Sequence, residues 1–131
     1  MRVSFMLKPM LTRTFVAMTL MAGIPQGIAP STTLGSSNAG MCYQASMFPL
    51  SNQGIRACNE AITRDQLSKR DLAATYSNRG IIHMRNGDAE KALRDHDRAI
   101  LLQPNVPQLH TNRGNALYYT HDYEDAIIEF D

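Results

Sequence analysis

Between residues 72 and 130 the apolar and small side chains recur at spacings of three and four, the period of one buried helix face. Leu72, Tyr76, Gly80, His83 and Met84 form one such stripe, and Asn86-Gly87 breaks it. Asp88 is placed to cap a second helix, whose stripe is Ala89, Ala92, Leu93, His96, Ala99 and Ile100 and which Pro104 and Pro107 end. The small residues Gly80 and Ala92 let these two helices approach closely. A further helix is predicted from about Gln108 to Thr120, then a break at His121-Asp122 and another helix from Tyr123 onward. Residues 40–72 keep the helical character with a break at Pro49, predicting a shorter hairpin upstream. The expected architecture is all-α.

The stripes repeat. Asn78-Arg79-Gly80 returns as Asn112-Arg113-Gly114, and the same register sets Gly87-Asp88 against His121-Asp122, Glu90 against Glu124 and Ala92 against Ala126. This pattern resembles the tetratricopeptide repeat (TPR) family, whose unit of about 34 residues carries glycine at its eighth position, alanine at the twentieth and twenty-seventh, an apolar ring near the twenty-fourth and proline at the thirty-second. Counted from Ala73 those positions hold Gly80, Ala92, Ala99, His96 and Pro104; counted from Pro107 they give Gly114, Ala126 and Phe130. The resemblance implies a short solenoid of helix-turn-helix repeats, with one repeat at 73–106 and a truncated last repeat at 107–131. Residues 40–72 fit as a degenerate first hairpin, since Ala57-Cys58-Asn59 and Ala61-Ile62 echo 95–97 and 99–100 at a looser offset. His96 stands where an apolar ring is usual, Arg79 and Arg113 where leucine is usual, and His110 at the fourth position. Together they suggest a polar, groove-accessible first helix.

The N-terminus is different material. Arg2, Lys8 and Arg13 precede an apolar run from Phe15 to Ile24, and a stretch of small and polar residues follows. That is the layout of a secretory signal peptide. The run is about half of the roughly 20 apolar residues that a membrane-spanning helix needs. Residues 1–39 are therefore read as a signal peptide with a disordered cleavage region. Cleavage is expected near Ala39, since at Gly27-Ile28-Ala29 it would leave Pro30 as the first residue. The chain is expected to be exported, to the periplasm or medium, with no integral membrane span after cleavage. Its formal charge of +1, from 13 basic and 12 acidic residues, then becomes −2, because three cations leave and no anion does. Such a balance lacks the basic stripe of a nucleic-acid binder.

In an exported chain Cys42 and Cys58, well separated along the sequence, are most economically read as a disulfide tying the short first helix to the second. Small exported tetratricopeptide proteins with a cysteine-closed N-terminal hairpin offer the same arrangement. Two cysteines are too few for a closed zinc site, and their spacing is unlike a redox CxxC. His83, His96 and His110 occupy positions that face neighbouring helices, and His121 lies in a turn. Asp95-His96-Asp97 point about 100° apart on a helix and cannot share one ion. Glu90 with Arg94 and Lys91 with Asp95 read as solvated helix pairs. No phosphate loop, nucleophile elbow or zinc-protease motif is present, so no catalytic residue, metal or cofactor is assigned.

The function that the resemblance implies is recognition of another protein or peptide in a concave groove lined by the first helices of the repeats. Carried over by position, the candidate lining is Ser77, Asn78, Ile81 and Arg85, then Thr111, Asn112, Asn115, Tyr118 and Tyr119, with tyrosines supplying area and amides reading backbone groups. Tyr118 and Tyr119 have the alternative of packing on the next helix pair. A clamp for a terminal carboxylate would need lysines where Ser77 and Thr111 stand. The rival functions are an envelope enzyme accessory or cofactor-binding protein, and a truncated structural remnant with no partner of its own. An incomplete C-terminal repeat leaves self-association open, because solenoid units bury their apolar faces only by stacking.

Overall fold

In a computed structural model, which describes residues 26–29, 37–48 and 53–131, the chain is all-helical. The helices are α1 (Asn38–Met47), α2 (Gln53–Arg64), α3 (Lys69–Arg85), α4 (Ala89–Leu102), α5 (Pro107–Tyr119) and α6 (Tyr123–Phe130). They pack as consecutive pairs, α1 on α2, α3 on α4 and α5 on α6, and α3 is the hub that also touches α1, α2 and α5. No helix among the described residues is long and apolar enough to cross a membrane. The basic and apolar leader at 1–24 lies outside the described residues. The cleavage point expected near Ala39 falls inside the first turn of α1, where Ala39 is buried and Ser37 caps the helix by accepting from the Gly40 N–H at 3.1 Å.

Local chemistry sets the helix ends. Ser68 caps α3: its hydroxyl accepts from the Asp71 N–H at 3.1 Å and donates to the Asp71 carboxylate at 2.9 Å. Pro107 opens α5, where its missing N–H costs nothing. Asp88 precedes α4 but does not cap it through its side chain; its carboxylate accepts from Lys91 instead, at 2.9 Å. The α3–α4 turn places Gly87 at φ +81°, and the α5–α6 turn places His121, its counterpart in the repeat register, at φ +70°. The left-handed backbone that glycine adopts freely is thus imposed on a histidine in the second copy, at a cost of about 1 kcal/mol.

Each hairpin is closed at one point by a pair of residues at the same separation along the chain, 16 for the cysteines of the first. There Cys42 and Cys58 form a disulfide with Cα atoms 4.7 Å apart. In the second hairpin a Cβ on Gly80 would lie 2.6 Å from the His96 ring, and in the third a Cβ on Gly114 would lie 2.6 Å from the Phe130 ring. Cys42, Gly80 and Gly114 therefore hold one structural position, and Cys58, His96 and Phe130 the position facing it. The floor beneath is built of small residues: Ala61 and Ala99 are fully buried, as are Ala92 and Ala126, and Gly54 presses on Ala45 so closely that a Cβ would meet it at 2.5 Å.

Ion pairs use the same span. Arg79 on α3 makes a two-pronged bond to Asp95 on α4, Nε and Nη2 each at 2.7 Å, and Nη1 reaches Asn59 on α2 at 2.6 Å. Arg113 on α5 bonds Glu129 on α6 and Asp97 on α4, both at 2.6 Å. Each arginine thus ties its own hairpin and links it to the preceding one. This corrects two expectations. Arg79 and Arg113 face the second helices instead of making the first helices polar and groove-accessible, and Asp95 is a buried partner of Arg79, not of Lys91 in solvent. The planar guanidinium suits this bidentate geometry, which an ammonium cannot reproduce.

His96 fills a ring's place without a ring's apolarity. It is fully buried, neither ring nitrogen has a hydrogen-bond partner, and burial holds its pKa down at about 4 despite the neighbouring Asp95 and Asp97 carboxylates.

Two measurements test this packing. Reducing the Cys42–Cys58 bond, or replacing both cysteines with serine, releases a loop whose closure is worth about 3 kcal/mol, so the melting temperature should fall by about 10 °C or more. The folded state holds His96 neutral, while the unfolded chain protonates it below about pH 6.5. Stability is therefore complete above that pH and declines as pH falls toward 4, by on the order of 3 kcal/mol. Urea melts of His96→Phe across this range should lack most of that decline and show a more stable chain at pH 5.

Candidate functional site

The site is assembled from one side of α3 and α5, the end of α1, and a segment of the chain's own N-terminal region. Residues 26–29, which belong to no helix or strand, lie against these helices. Asn78, buried on α3, pairs with both backbone groups of one residue: the Ile28 N–H donates to Asn78 Oδ1 at 2.8 Å, and Asn78 Nδ2 donates to the Ile28 carbonyl at 2.8 Å. A side-chain amide offers one donor and one acceptor side by side, so it can close both valences of an extended residue as a neighbouring strand would.

Asn112, on α5, repeats the motif one hairpin on. Its Nδ2 donates to the Gln26 carbonyl at 3.3 Å and to Ser77 Oγ at 3.0 Å, while its Oδ1 is buried without a partner. Two residues of extended chain advance about 7 Å. The two asparagines, equivalent in the repeat register, thus meet alternate residues of the segment, the ones that present their backbone groups to the same side.

Helix α1 supplies the far wall. Ser46 is fully buried, donates to the Tyr43 carbonyl at 2.7 Å and lies 3.3 Å from Asn78 Oδ1. A Cβ on Gly27 would fall 2.5 Å from Ser46 Oγ and 3.0 Å from Met47 Sδ. The Ile28 side chain packs against the cluster of Ala73, Ala99 and Leu109, on which Tyr76 and Val106 also pack. Among the described residues, the polar side chains against the segment are the amides of Asn78 and Asn112 and the Ser46 hydroxyl, which suit a peptide backbone better than a charged ligand.

Of the candidate lining, the structure brings Ser77, Asn78 and Asn112 into one hydrogen-bonded group. Ile81 is buried on α3 and Asn115 is half-buried one turn beyond Asn112. Thr111 turns its hydroxyl back to the Pro107 carbonyl at 3.2 Å, and Arg85 bonds the Ala45 carbonyl at the end of α1 at 3.1 Å. Tyr118 and Tyr119 stand elsewhere, exposed at the α5–α6 turn in an edge-to-face cluster with Tyr123. Tyr119 also borders a surface hollow with Asp88, Lys91 and Arg94.

The histidines are dispersed. His110 lies between the Pro104 carbonyl and Glu129, each at 2.7 Å, and these two contacts raise its pKa; His121 meets the Tyr123 hydroxyl. Among the described residues no group of three or more His, Cys, Asp or Glu side chains could hold a metal ion.

Sequence reasoning missed the segment itself, assigning it to the cleavage region, and it missed Ser46. The small residue Gly27 followed by aliphatic Ile28 carried a signal only in hindsight of the asparagine pair. No protein-family model matches the chain, and a search of curated proteins returns no relative.

The Ile28 amide reports directly on this geometry. Hydrogen exchange there should be slowed relative to an open peptide, and Asn78→Ala should speed it by at least ten-fold while leaving α3 amides near Ile81 protected.

Proposed function

We propose that this chain is a short, exported tetratricopeptide-type module that binds an extended stretch of another protein across α3 and α5. The observation that carries the reading is the pairing of Asn78 with both backbone groups of Ile28, repeated in part by Asn112. A site that reads backbone groups through buried amides recognises extended chain as such, and neighbouring pockets add side-chain preference. Support for the family comes from the register that sets 78–80 against 112–114 and from the glycine-to-ring contact that recurs in both later hairpins. Support for export comes from the leader's layout and from a disulfide, which persists in oxidising compartments. The role proposed is that of an interaction module without catalytic activity.

A second surface is favoured by a specific observation. Tyr118, Tyr119, Tyr123, Ile127, Ile128 and Phe130 are each about half exposed or more at the α5–α6 end. Such a face suits a further helix, from a partner or from a second copy of this chain.

One selection tests both surfaces. Peptides enriched from a random displayed library on the oxidised Gly27→Val chain, whose added side chain collides with Ser46 and displaces the segment, should lose at least ten-fold in affinity with Asn78→Ala or Asn112→Ala. Binding that ignores both asparagines but is lost with Ile128→Asp or Tyr118→Ala moves the site to the α6 face and sinks the groove reading.

A further inference from the structure

We propose that the groove selects an extended segment in which glycine is followed by an aliphatic residue, and that Gln26-Gly27-Ile28 is the chain's own copy of that ligand, closing the groove to outside peptides while it remains attached. The inference rests on the peptide-binding reading above and adds to it a sequence preference and a competitor.

The preference follows from the walls. At the Gly27 position a side chain has nowhere to go: its first carbon would sit 2.5 Å from Ser46 Oγ, and Ser46 is held in place by its bond to the Tyr43 carbonyl. Met47 Sδ, at 3.0 Å, belongs to a flexible chain and can yield, whereas moving the buried Ser46 Oγ would break its bonds to the Tyr43 carbonyl and Asn78 Oδ1. One residue later the space is apolar, and Ile28 fills it against Ala73 and Leu109. Between these two demands lies the Asn78 amide, which requires an N–H on the second residue and so excludes proline there.

Cis occupancy follows from chain geometry. Only residues 30–36 separate the docked segment from Ser37, the cap of α1. A ligand on so short a tether faces its site at an effective concentration on the order of millimolar. An outside peptide of the same sequence competes against that concentration and loses. The fit is nonetheless incomplete, because Asn112 Oδ1 is buried and unpaired where the Asn78 pattern would supply it with a backbone N–H. A partner segment that satisfies both asparagines gains a hydrogen bond that the attached copy lacks. Proteolytic removal of residues through Ala29 opens the groove outright.

The test uses the full oxidised chain and a fluorescent peptide with the sequence of residues 24–31, IPQGIAPS. Binding by anisotropy should be at least ten-fold tighter to Gly27→Val and to Ile28→Asp than to the unaltered chain, and Asn78→Ala added to Gly27→Val should abolish it. Peptides carrying valine for the glycine or aspartate for the isoleucine should not bind. Equal affinity for the unaltered and displaced chains overturns cis occupancy. No binding to either displaced chain, with their melting temperatures intact, overturns the proposal as a whole. The two readings fail separately: library peptides that need Asn78 but lack a glycine-aliphatic pair leave peptide binding standing and overturn this preference, whereas peptides indifferent to both asparagines overturn both.

Discussion

The structure depends on close approach at a single level in each helical hairpin. Two helices joined by a short turn can bring a ring against the facing helix only if the facing position gives up its side chain; Gly80 does so for the buried His96, and Gly114 for Phe130, whose ring stays half exposed. The first hairpin reaches the same proximity by another route, with a covalent bond between Cys42 and Cys58. A disulfide occupies little more room than one small side chain and needs no ring to fill the gap, which suits the shortest first helix of the three, the ten-residue α1. Once that level is fixed, the arginine ties fall into place, because Arg79 and Arg113 each precede the glycine by one residue and Asp95 and Glu129 precede the ring by one.

Holding the first helices at a common level also aligns their outward faces. Asn78 and Asn112 each lie two residues before a closing glycine, so fixing the glycines fixes the amides. The site is therefore a by-product of how the core is closed: the residues that contact the segment need little positioning of their own. Ser46, near the C-terminus of α1, belongs to the same logic, since α1 is pinned to α2 by its cysteine four residues earlier.

Much of this was legible in the sequence. The helices emerged from the three- and four-residue spacing because the stripes are long and the breaks, Asn86-Gly87 and Pro104 to Pro107, are chemically distinct. The cysteine pair was readable from an exported chain with two well-separated cysteines, while Asn78 and Asn112 were named by position in the repeat. The ion pairs were not, because a lone Arg79 in a leucine position says nothing of a carboxylate on the next helix until the two hairpins are compared. Asp95 was assigned to Lys91 by the four-residue rule, which describes isolated helices and ignores a neighbouring helix. The tyrosines were placed in the lining by position, whereas an exposed cluster with Tyr123 holds them at the turn. The segment at 26–29 was invisible, since its partners lie 50 and 86 residues away and no periodicity links an irregular segment to a helix face.

Those separations also set what each contact costs to form. The cysteine bond and the Arg79 tie each span 16 residues, whereas the segment's bonds close loops several times longer, at a greater entropic cost. Residues 26–29 are thus held by contacts that lie far apart in sequence, unlike the local ties that close each helical pair.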